Sequence, residues 1–267
     1  MQNAGRLFSM GLGLFILPGL AGATSISLDD LTLAGDATYM TTGNGDMLRL
    51  TPAVPIQVGS AFLDTTVDLT TLSTSFQFRI SEPGGLSDGV QSGGDGITFV
   101  MQTVPTSLGS PGAALGYTGS PSVAVEFDTY QNPSLQDPSS NHVGILTNGS
   151  VSHGPGSPYT AHVAPRFDDG EIWYAWIDYV GTTLEVRVNQ TDLRPHVSLL
   201  SRDLDMVHFF GTSNIYMGFT GATYAAWGNH DILAWDIGSN APVPEPTSMI
   251  LLGLGLAGIG ARRFRND

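Results

Sequence analysis

The sequence contains no cysteine and no lysine among its 267 residues. The absence of cysteine excludes disulfide bridges, thiolate metal ligands and cysteine nucleophiles, so the fold must rest on its core and on any bound metal. All ten basic residues are arginines, and the formal net charge is −14. A nucleic-acid partner would require a basic surface that neutralises phosphates, so we expect no such partner.

Both ends of the chain have the character of targeting segments. Residues 1–23 carry a positive charge at Arg6, then an apolar run, and end in Ala21-Gly22-Ala23, a small-x-small cleavage pattern. Together these features predict a secretory signal peptide. Near the other end, Pro244-Glu245-Pro246 precedes an apolar run and an arginine cluster at 262–265. That run of about fifteen residues would rise only ~22 Å as a helix, which is short for a stable membrane span.

The order of these C-terminal features resembles the PEP-CTERM sorting signal of Gram-negative bacteria. The resemblance implies that residues 241–267 are recognised and removed by an exosortase-type enzyme after transient membrane anchoring. The protein would then be exported to the cell surface or the extracellular space. A permanent C-terminal membrane anchor is the alternative.

Residues 24–240 show no internal repeat and are predicted to form one domain. Alternating or β-branched and aromatic segments, from LTLAGDATYM (31–40) to DILAWDI (231–237), are separated by glycine turns and indicate an all-β, antiparallel sandwich. Phe76–Ile80 alternates with period two, and Gly181 lies where a hairpin should turn. Function is expected in the loops at 92–96, 110–116 and 222–229 and in the segment that ends at His142.

The stretch Val123–His142 carries a mixed set of oxygen and nitrogen ligands. Glu126 and Asp128 alternate along a strand and therefore share one face. Asn132, Asp137 and His142 follow in a turn-rich segment. Two metals fit this set better than one: calcium takes about six to eight oxygens, and manganese accepts carboxylates with an imidazole.

The chain from Leu31 to Ile237 resembles an L-type (legume-lectin-like) lectin domain, a concanavalin A-like jelly-roll sandwich. The resemblance rests on FQFRI, GDGITFV, VAVEFDTYQN, HVGI and HDILAWDI in the family's order. Its specific part is Glu-x-Asp-x-Tyr-x-Asn, followed by Asp and His at five-residue intervals. Leu146 departs from the family, since legume members often carry Asp at that place.

The resemblance implies two metal sites. The transition metal, expected to be Mn²⁺, would be held by Glu126, Asp128, Asp137 and His142. The Ca²⁺ ligands would be Asp128, Asn132, Asp137 and the backbone carbonyl of Tyr130. Ser152 falls where the family has an outer-shell serine.

The resemblance also implies a carbohydrate site beside the calcium. Asp95 resembles the family's sugar-binding aspartate, which follows a cis peptide bond, and the amide of Asn132 would contact a sugar hydroxyl. The remaining candidates are the backbone N–H groups of Gly112 or Ala113, the ring of Tyr130, and Tyr224. Tyr224 and its neighbour Trp227 either touch the ligand or pack on the sandwich.

The function expected from these features is that of an exported, metal-dependent lectin without catalysis, which binds a glycan or exopolysaccharide. Assembly as a homodimer is left open. A glycoside hydrolase on a similar sandwich is one alternative. Such enzymes need a second carboxylate after Glu-x-Asp, but Tyr130 and Gln131 occupy the relevant positions. A surface adhesion or matrix protein without specific sugar binding is the other alternative.

Overall fold

A computed structural model of the chain describes residues 23–43 and 45–238. The predicted signal peptide, except for its last residue, and the predicted sorting segment 241–267 lie outside the described residues. Within the described part, no helix has both the length and the apolar character that a membrane crossing requires.

Strands make up most of the regular structure in the described residues. They are β1 (Thr24–Ser25), β2 (Thr32–Gly35), β3 (Thr38–Thr42), β4 (Gly45–Thr51), β5 (Val58–Phe62), β6 (Val67–Asp68), β7 (Ser73–Gly85), β8 (Gly96–Gln102), β9 (Ser122–Asp128), β10 (His142–Thr147), β11 (Thr160–His162), β12 (Trp173–Val180), β13 (Thr183–Asn189), β14 (Leu200–Asp203), β15 (Asn214–Ala222) and β16 (Ala226–Gly238). The described helices are α1 (Met206–Phe210) and four 3₁₀ turns at Leu28–Asp30, Leu69–Thr71, Gly112–Ala114 and Pro133–Leu135.

The strands form two eight-stranded antiparallel sheets. Sheet 1 has the order β14-β13-β12-β7-β16-β4-β3, with β1 paired to β16. Sheet 2 has the order β11-β10-β9-β8-β15-β5-β2, with β6 paired to β15. Neighbours such as β7 and β16 are far apart in sequence, as expected when a chain crosses repeatedly between two sheets. The predicted antiparallel jelly-roll sandwich is confirmed.

The main core lies between the two sheets. Phe76, Phe78 and Ile80 of β7 are buried while the residues between them are partly exposed, which confirms the predicted period of two. Across the interface, the Phe76 ring lies 5.7, 5.6 and 5.0 Å from the rings of Phe99, Phe127 and Phe219. Aromatic contacts of this kind add roughly 0.5–1.5 kcal/mol each beyond burial of area.

The central strands of sheet 2 are buried on both faces. Val125 and Phe127 of β9 point into the main core, whereas Ala124 on the opposite face packs in a second cluster with Tyr117 and Leu146. Leu146 thus fills an apolar contact in this cluster. Glu126 and Asp128 continue the face of Ala124, so the fold places two carboxylates on a buried surface.

The structure differs from the predicted strand pattern in its shorter elements. The predicted strand 31–40 is divided into β2 and β3, with Gly35 in the left-handed region at φ +67°. The short strands β11 and β14 and helix α1 were not predicted, because segments of three to five residues are too short to show periodicity. The predicted hairpin turn is confirmed, since Gly181 joins β12 to β13 at φ +64°.

Candidate metal and carbohydrate site

The pairing of β9 with β10 assembles the first metal-ligand candidates. Glu126 and Asp128 share one face of β9, and His142 at the start of β10 is the register partner of Asp128. Gly144 is the partner of Glu126. A Cβ atom at Gly144 would lie only 2.2 Å from Glu126 Oε1, so the absence of a side chain there makes room for the carboxylate.

The carboxylates themselves shape the loop between these strands. Asp128 Oδ1 accepts a 2.7 Å hydrogen bond from the Tyr130 N–H, and Asp137 Oδ2 accepts a 2.6 Å hydrogen bond from the Asn132 N–H. Pro133 begins a 3₁₀ turn that separates Asn132 from Asp137. The loop thereby folds back on itself and brings Asp137 towards the end of β9.

Two overlapping groups of side chains could each hold a metal ion. In the first group, Glu126, His142 and His153 offer ligand atoms within 4.8 Å of one another, and in the second, Asp128, Asp137 and His142 do so. His142 Nδ1 lies 3.0 Å from the Ser139 carbonyl oxygen. Because a carbonyl can only accept, Nδ1 carries the proton and Nε2 is left as the ligand atom, the arrangement typical of metal-binding histidines.

The cluster concentrates negative charge in a buried place. Burial raises the pKa of Asp128 well above its usual range, and the neighbouring Glu126 and Asp137 raise it further. Burial also opposes ionisation of Glu126, but His142 and His153 lower its pKa overall. Burial would lower the pKa of His153, yet its contacts with Asp137 and Glu126 raise it to about 9. A bound cation would relieve the repulsion between these carboxylates.

A cavity of about 350 Å³ opens beside the metal-ligand candidates. All four segments predicted to carry function contribute to its wall, so they meet on one face of the sandwich. The lining residues are Leu86, Asp95, Pro111, Gly112, Ala113, Tyr130, Asn132, Tyr224, Ala225 and Ala226.

Asp95 is fixed between two strands at the base of this cavity. It follows a cis peptide bond after Gly94, its N–H donates to the Ala222 carbonyl, and its carbonyl accepts from the Thr129 N–H at 2.9 Å. Its side chain is almost fully buried, and burial raises its pKa to about 7. Asp95 Oδ2, Asn132 Oδ1 and Glu126 Oε1 are all buried without a hydrogen-bond partner among the described residues.

These unpaired oxygens indicate whether the residues of the site suit the implied Ca²⁺ and transition-metal ions. Buried acceptors in folded proteins are nearly always satisfied, so three acceptors left unpaired in one region indicate that an external group completes them. Oxygen acceptors of this kind, accompanied by two imidazoles, match the ligand preferences of Ca²⁺ and of a transition ion. The residues present therefore fit the implied metals.

The other predicted carbohydrate-binding residues lie at the cavity with different exposures. The Gly112 N–H already donates to the Thr223 carbonyl at 3.1 Å, which leaves the N–H of Ala113 as the candidate donor from this loop. Tyr224 is 55% exposed at the cavity wall. Trp227 instead packs its indole over Gly84 and Gly85, so of the two alternatives this aromatic packs on the sandwich.

Two residues that contact the cluster or its loop were not found from the sequence. Ser152, predicted to act in the outer shell, is exposed, and the next residue, His153, reaches Glu126 Oε1 at 2.9 Å. Arg166 braces the ligand loop by donating to the carbonyl oxygens of Thr129 at 2.8 Å and Ser140 at 3.0 Å. The only available signal for His153 was the rarity of histidine, which occurs six times in the chain.

Fold and site together define a legume-lectin-type sandwich. A family model described as the legume lectin domain matches residues 17–251, and the chain belongs to this family. A second model, the PEP-CTERM protein-sorting motif, matches residues 242–265, the segment predicted from its Pro-Glu-Pro motif. This motif implies export to the cell envelope in Gram-negative bacteria.

Similar curated proteins come from Arabidopsis thaliana. The probable L-type lectin-domain containing receptor kinase I.5 is 31% identical over 81% of this chain and 34% of its own length. The L-type lectin-domain containing receptor kinase VIII.1 is 32% identical over 87% of this chain and 33% of its own length. The chain thus spans about a third of the length of these relatives.

Similar solved structures include two lectins bound to sugar ligands. The lectin from Bauhinia forficata in complex with GalNAc has a TM-score of 0.65 at 23% identity and covers 82% of this chain and 97% of its own. The basic winged bean lectin with Tn-antigen has a TM-score of 0.66 at 24% identity and covers 82% and 98%. These similarities support the fold.

Proposed function

We propose that the protein is an exported, metal-dependent lectin that binds carbohydrate without cleaving it, in the cavity beside Asp95 and Asn132. The observation that carries the proposal is the pair of buried, unpaired oxygens, Asp95 Oδ2 and Asn132 Oδ1, at a cavity walled by two tyrosines. Carbohydrate sites require fixed polar groups for hydroxyls and an aromatic face for the C–H side of the ring. Similar lectins are described in complex with GalNAc and with Tn-antigen, which supports a sugar as the ligand.

Legume lectins generally bind Ca²⁺ and a transition metal, and both are proposed here. Asp128, Asn132, Asp137 and the Tyr130 carbonyl would hold Ca²⁺, while Glu126, Asp128, Asp137 and His142 would hold the transition ion. When bound, the cations offset the charge of the buried carboxylates and stiffen the loop. The rest of the recognition belongs to protein groups.

Each protein group has a distinct task towards the sugar. The Asp95 carboxylate accepts hydrogen bonds from hydroxyls, and the Asn132 amide donates one through its nitrogen. The Ala113 N–H supplies a further donor, and Tyr130 and Tyr224 cover an apolar side of the ring. Because few groups converge, a single sugar should bind weakly, and display of several copies, or a homodimer, would strengthen attachment to a polymer.

The proposed partners follow from the sorting motif. An exosortase-type enzyme would process residues 241–267, and the ligand would be a glycan or exopolysaccharide at the cell surface. The hydrolase alternative receives no support from the site, because Glu126 is faced by His142 and His153. Absence of reducing-end release from polysaccharides by the metal-loaded protein would accord with binding alone.

A glycan array with and without EDTA tests the proposal. We expect binding that EDTA abolishes. Asp95→Ala should remove sugar binding while metal content is retained, because Asp95 is not a predicted direct ligand. Tyr224→Ala should weaken binding by about tenfold, the value of one aromatic contact. Asp64→Ala, at an exposed position away from the cavity, is the matched control. Binding that survives both EDTA and Asp95→Ala would refute the proposal.

A further inference from the structure

We propose that His153 is a direct ligand of the transition metal and that the site is a two-histidine, two-carboxylate centre that prefers Zn²⁺ to Mn²⁺. His153 takes the place of Asp128 among the transition-metal ligands named above, so the four ligands are Glu126, Asp137, His142 and His153, and Asp128 remains a Ca²⁺ ligand. The inference deepens the proposed function, since it takes the same cluster as a metal site, but it assigns a ligand and a metal preference that the family resemblance does not imply.

The first support is the convergence of ligand atoms on His153 Nε2. This nitrogen lies 3.3 Å from His142 Nε2, 2.9 Å from Glu126 Oε1 and 3.4 Å from Asp137 Oδ1. Ligands bound at about 2.0–2.1 Å in a tetrahedron around zinc are separated by roughly 3.3–3.4 Å. The separations around His153 Nε2 are therefore close to those between the ligands of a four-coordinate zinc centre, and the distance of 3.3 Å between Glu126 Oε1 and His142 Nε2 agrees with them.

The second support is that hydrogen bonding does not satisfy the cluster. Glu126 Oε1 has no hydrogen-bond partner among the described residues, although His153 Nε2 is near it. His142 Nε2 is an acceptor, because Nδ1 donates to the Ser139 carbonyl. A single proton on His153 cannot point at three acceptors at once, whereas a cation placed between them interacts with all.

The third support is the way in which His153 is held in place. Its backbone N–H donates to the Leu135 carbonyl in the ligand loop at 3.1 Å, and its imidazole is 3% exposed. Its ring packs edge-on to that of His142 at an interplanar angle of 84°. His153 also lines a polar cavity of about 260 Å³ with Ser150 and Ser152, which provides an entry path for an ion.

The preference for zinc follows from the donor set. Carboxylates suit manganese and imidazoles suit zinc, so a second imidazole strengthens the preference for Zn²⁺ over Mn²⁺ that the general affinity order already gives at nitrogen and oxygen ligands. His153 therefore moves the expected ion away from the manganese that the motif alone predicts.

Metal competition on the intact protein tests this inference. Metal-free protein is equilibrated with excess Ca²⁺ and equal Zn²⁺ and Mn²⁺, and bound metals are measured by elemental analysis. We expect zinc to exceed manganese in the wild type by at least about tenfold. His153→Ala and His153→Gln should lower zinc affinity by about 100-fold and manganese affinity much less. His196→Ala, which removes an exposed histidine outside the cluster, should behave like the wild type.

The visible spectrum of the Co²⁺-substituted wild type supplies a test that needs no variant. Four-coordinate Co²⁺ with two imidazoles absorbs strongly, whereas six-coordinate Co²⁺ absorbs weakly. A weak band, a wild type that selects Mn²⁺, or His153 variants with unchanged zinc affinity would each overturn the inference. Glycan binding on the same samples separates the two proposals: zinc selected without sugar binding refutes only the lectin function, and sugar binding with unaltered zinc affinity in His153→Gln refutes only the ligand assignment.

Discussion

Replacing Gly144 with alanine should dismantle the metal cluster while leaving the sandwich folded. The new Cβ would lie 2.2 Å from Glu126 Oε1 and 3.1 Å from His153 Cε1. Cβ contacts below 3.0 Å are essentially never seen, so the Glu126 oxygen must shift by about 0.8 Å or more. Metal sites tolerate deviations of only about 0.2 Å in ligand distance, so the shift is several times larger than a site can absorb.

The size of the effect can be worked through metal linkage. A metal present at about 100 times its Kd stabilises the fold by about 2.7 kcal/mol, which for a domain of this size raises Tm by about 5–10 °C. If the variant loses about 100-fold in affinity, the same metal concentration contributes only about 0.4 kcal/mol, or about 1–2 °C. The assay is the decrease in Tm on adding EDTA, measured for both proteins by calorimetry.

Gly43→Ala is the matched control, because a Cβ there meets no atom of the described residues within 4 Å. It should show the same EDTA-induced decrease as the wild type. A Gly144→Ala protein whose Tm still falls by 5–10 °C with EDTA, and whose metal content is normal, would refute the assignment of Glu126 as a ligand.

Two further predictions concern groups outside the cluster. Burial lowers the pKa of His230 to about 3, and Arg49 adds to the effect. The unfolded chain, with a His pKa near 6.5, therefore binds a proton that the folded state does not bind. The contribution of His230 to stability is fully present above pH 6.5 and is lost as pH falls towards 3, at up to about 1.4 kcal/mol per pH unit. Between pH 8 and pH 5 the wild type should accordingly lose about 2 kcal/mol of unfolding free energy relative to His230→Asn. A difference between the two proteins that does not change with pH would contradict this. Arg166→Lys should raise the Kd for Ca²⁺ by about 10–100-fold, because lysine cannot reproduce the fork that holds Thr129 and Ser140. Calorimetric titration with Ca²⁺ measures this change, and an unchanged Kd would show that the brace does not position the ligand loop.

The local sequence pattern was sufficient to predict much of the fold and the metal-binding half of the site. Alternation along Phe76–Ile80 identified a strand with one face in the core, because side chains on a strand alternate regardless of what surrounds it. The same rule placed Glu126 and Asp128 on one face. Their spacing to Asp137 and His142 then predicted a metal cluster, since all four candidates lie on one strand, one loop and the start of the next strand.

The remaining parts depend on contacts between distant segments. Alternation tells which face a residue occupies, but not which strand pairs with which, so only the β8–β9–β10 and β8–β15 pairings bring Asp95 and Tyr224 to Asn132. The use of the Gly112 N–H by Thr223 was likewise hidden from the sequence.

The sequence by itself determined the strand faces, the spacing of the acidic side chains and the two targeting patterns, because each is a property of neighbouring residues. Tertiary structure alone decided that His153 rather than Ser152 enters the cluster and that Gly144 leaves space for Glu126. It also decided that Leu146 fills an apolar contact. The reason is that burial and close contact are set by the packing of strands and loops against one another, which no local pattern encodes.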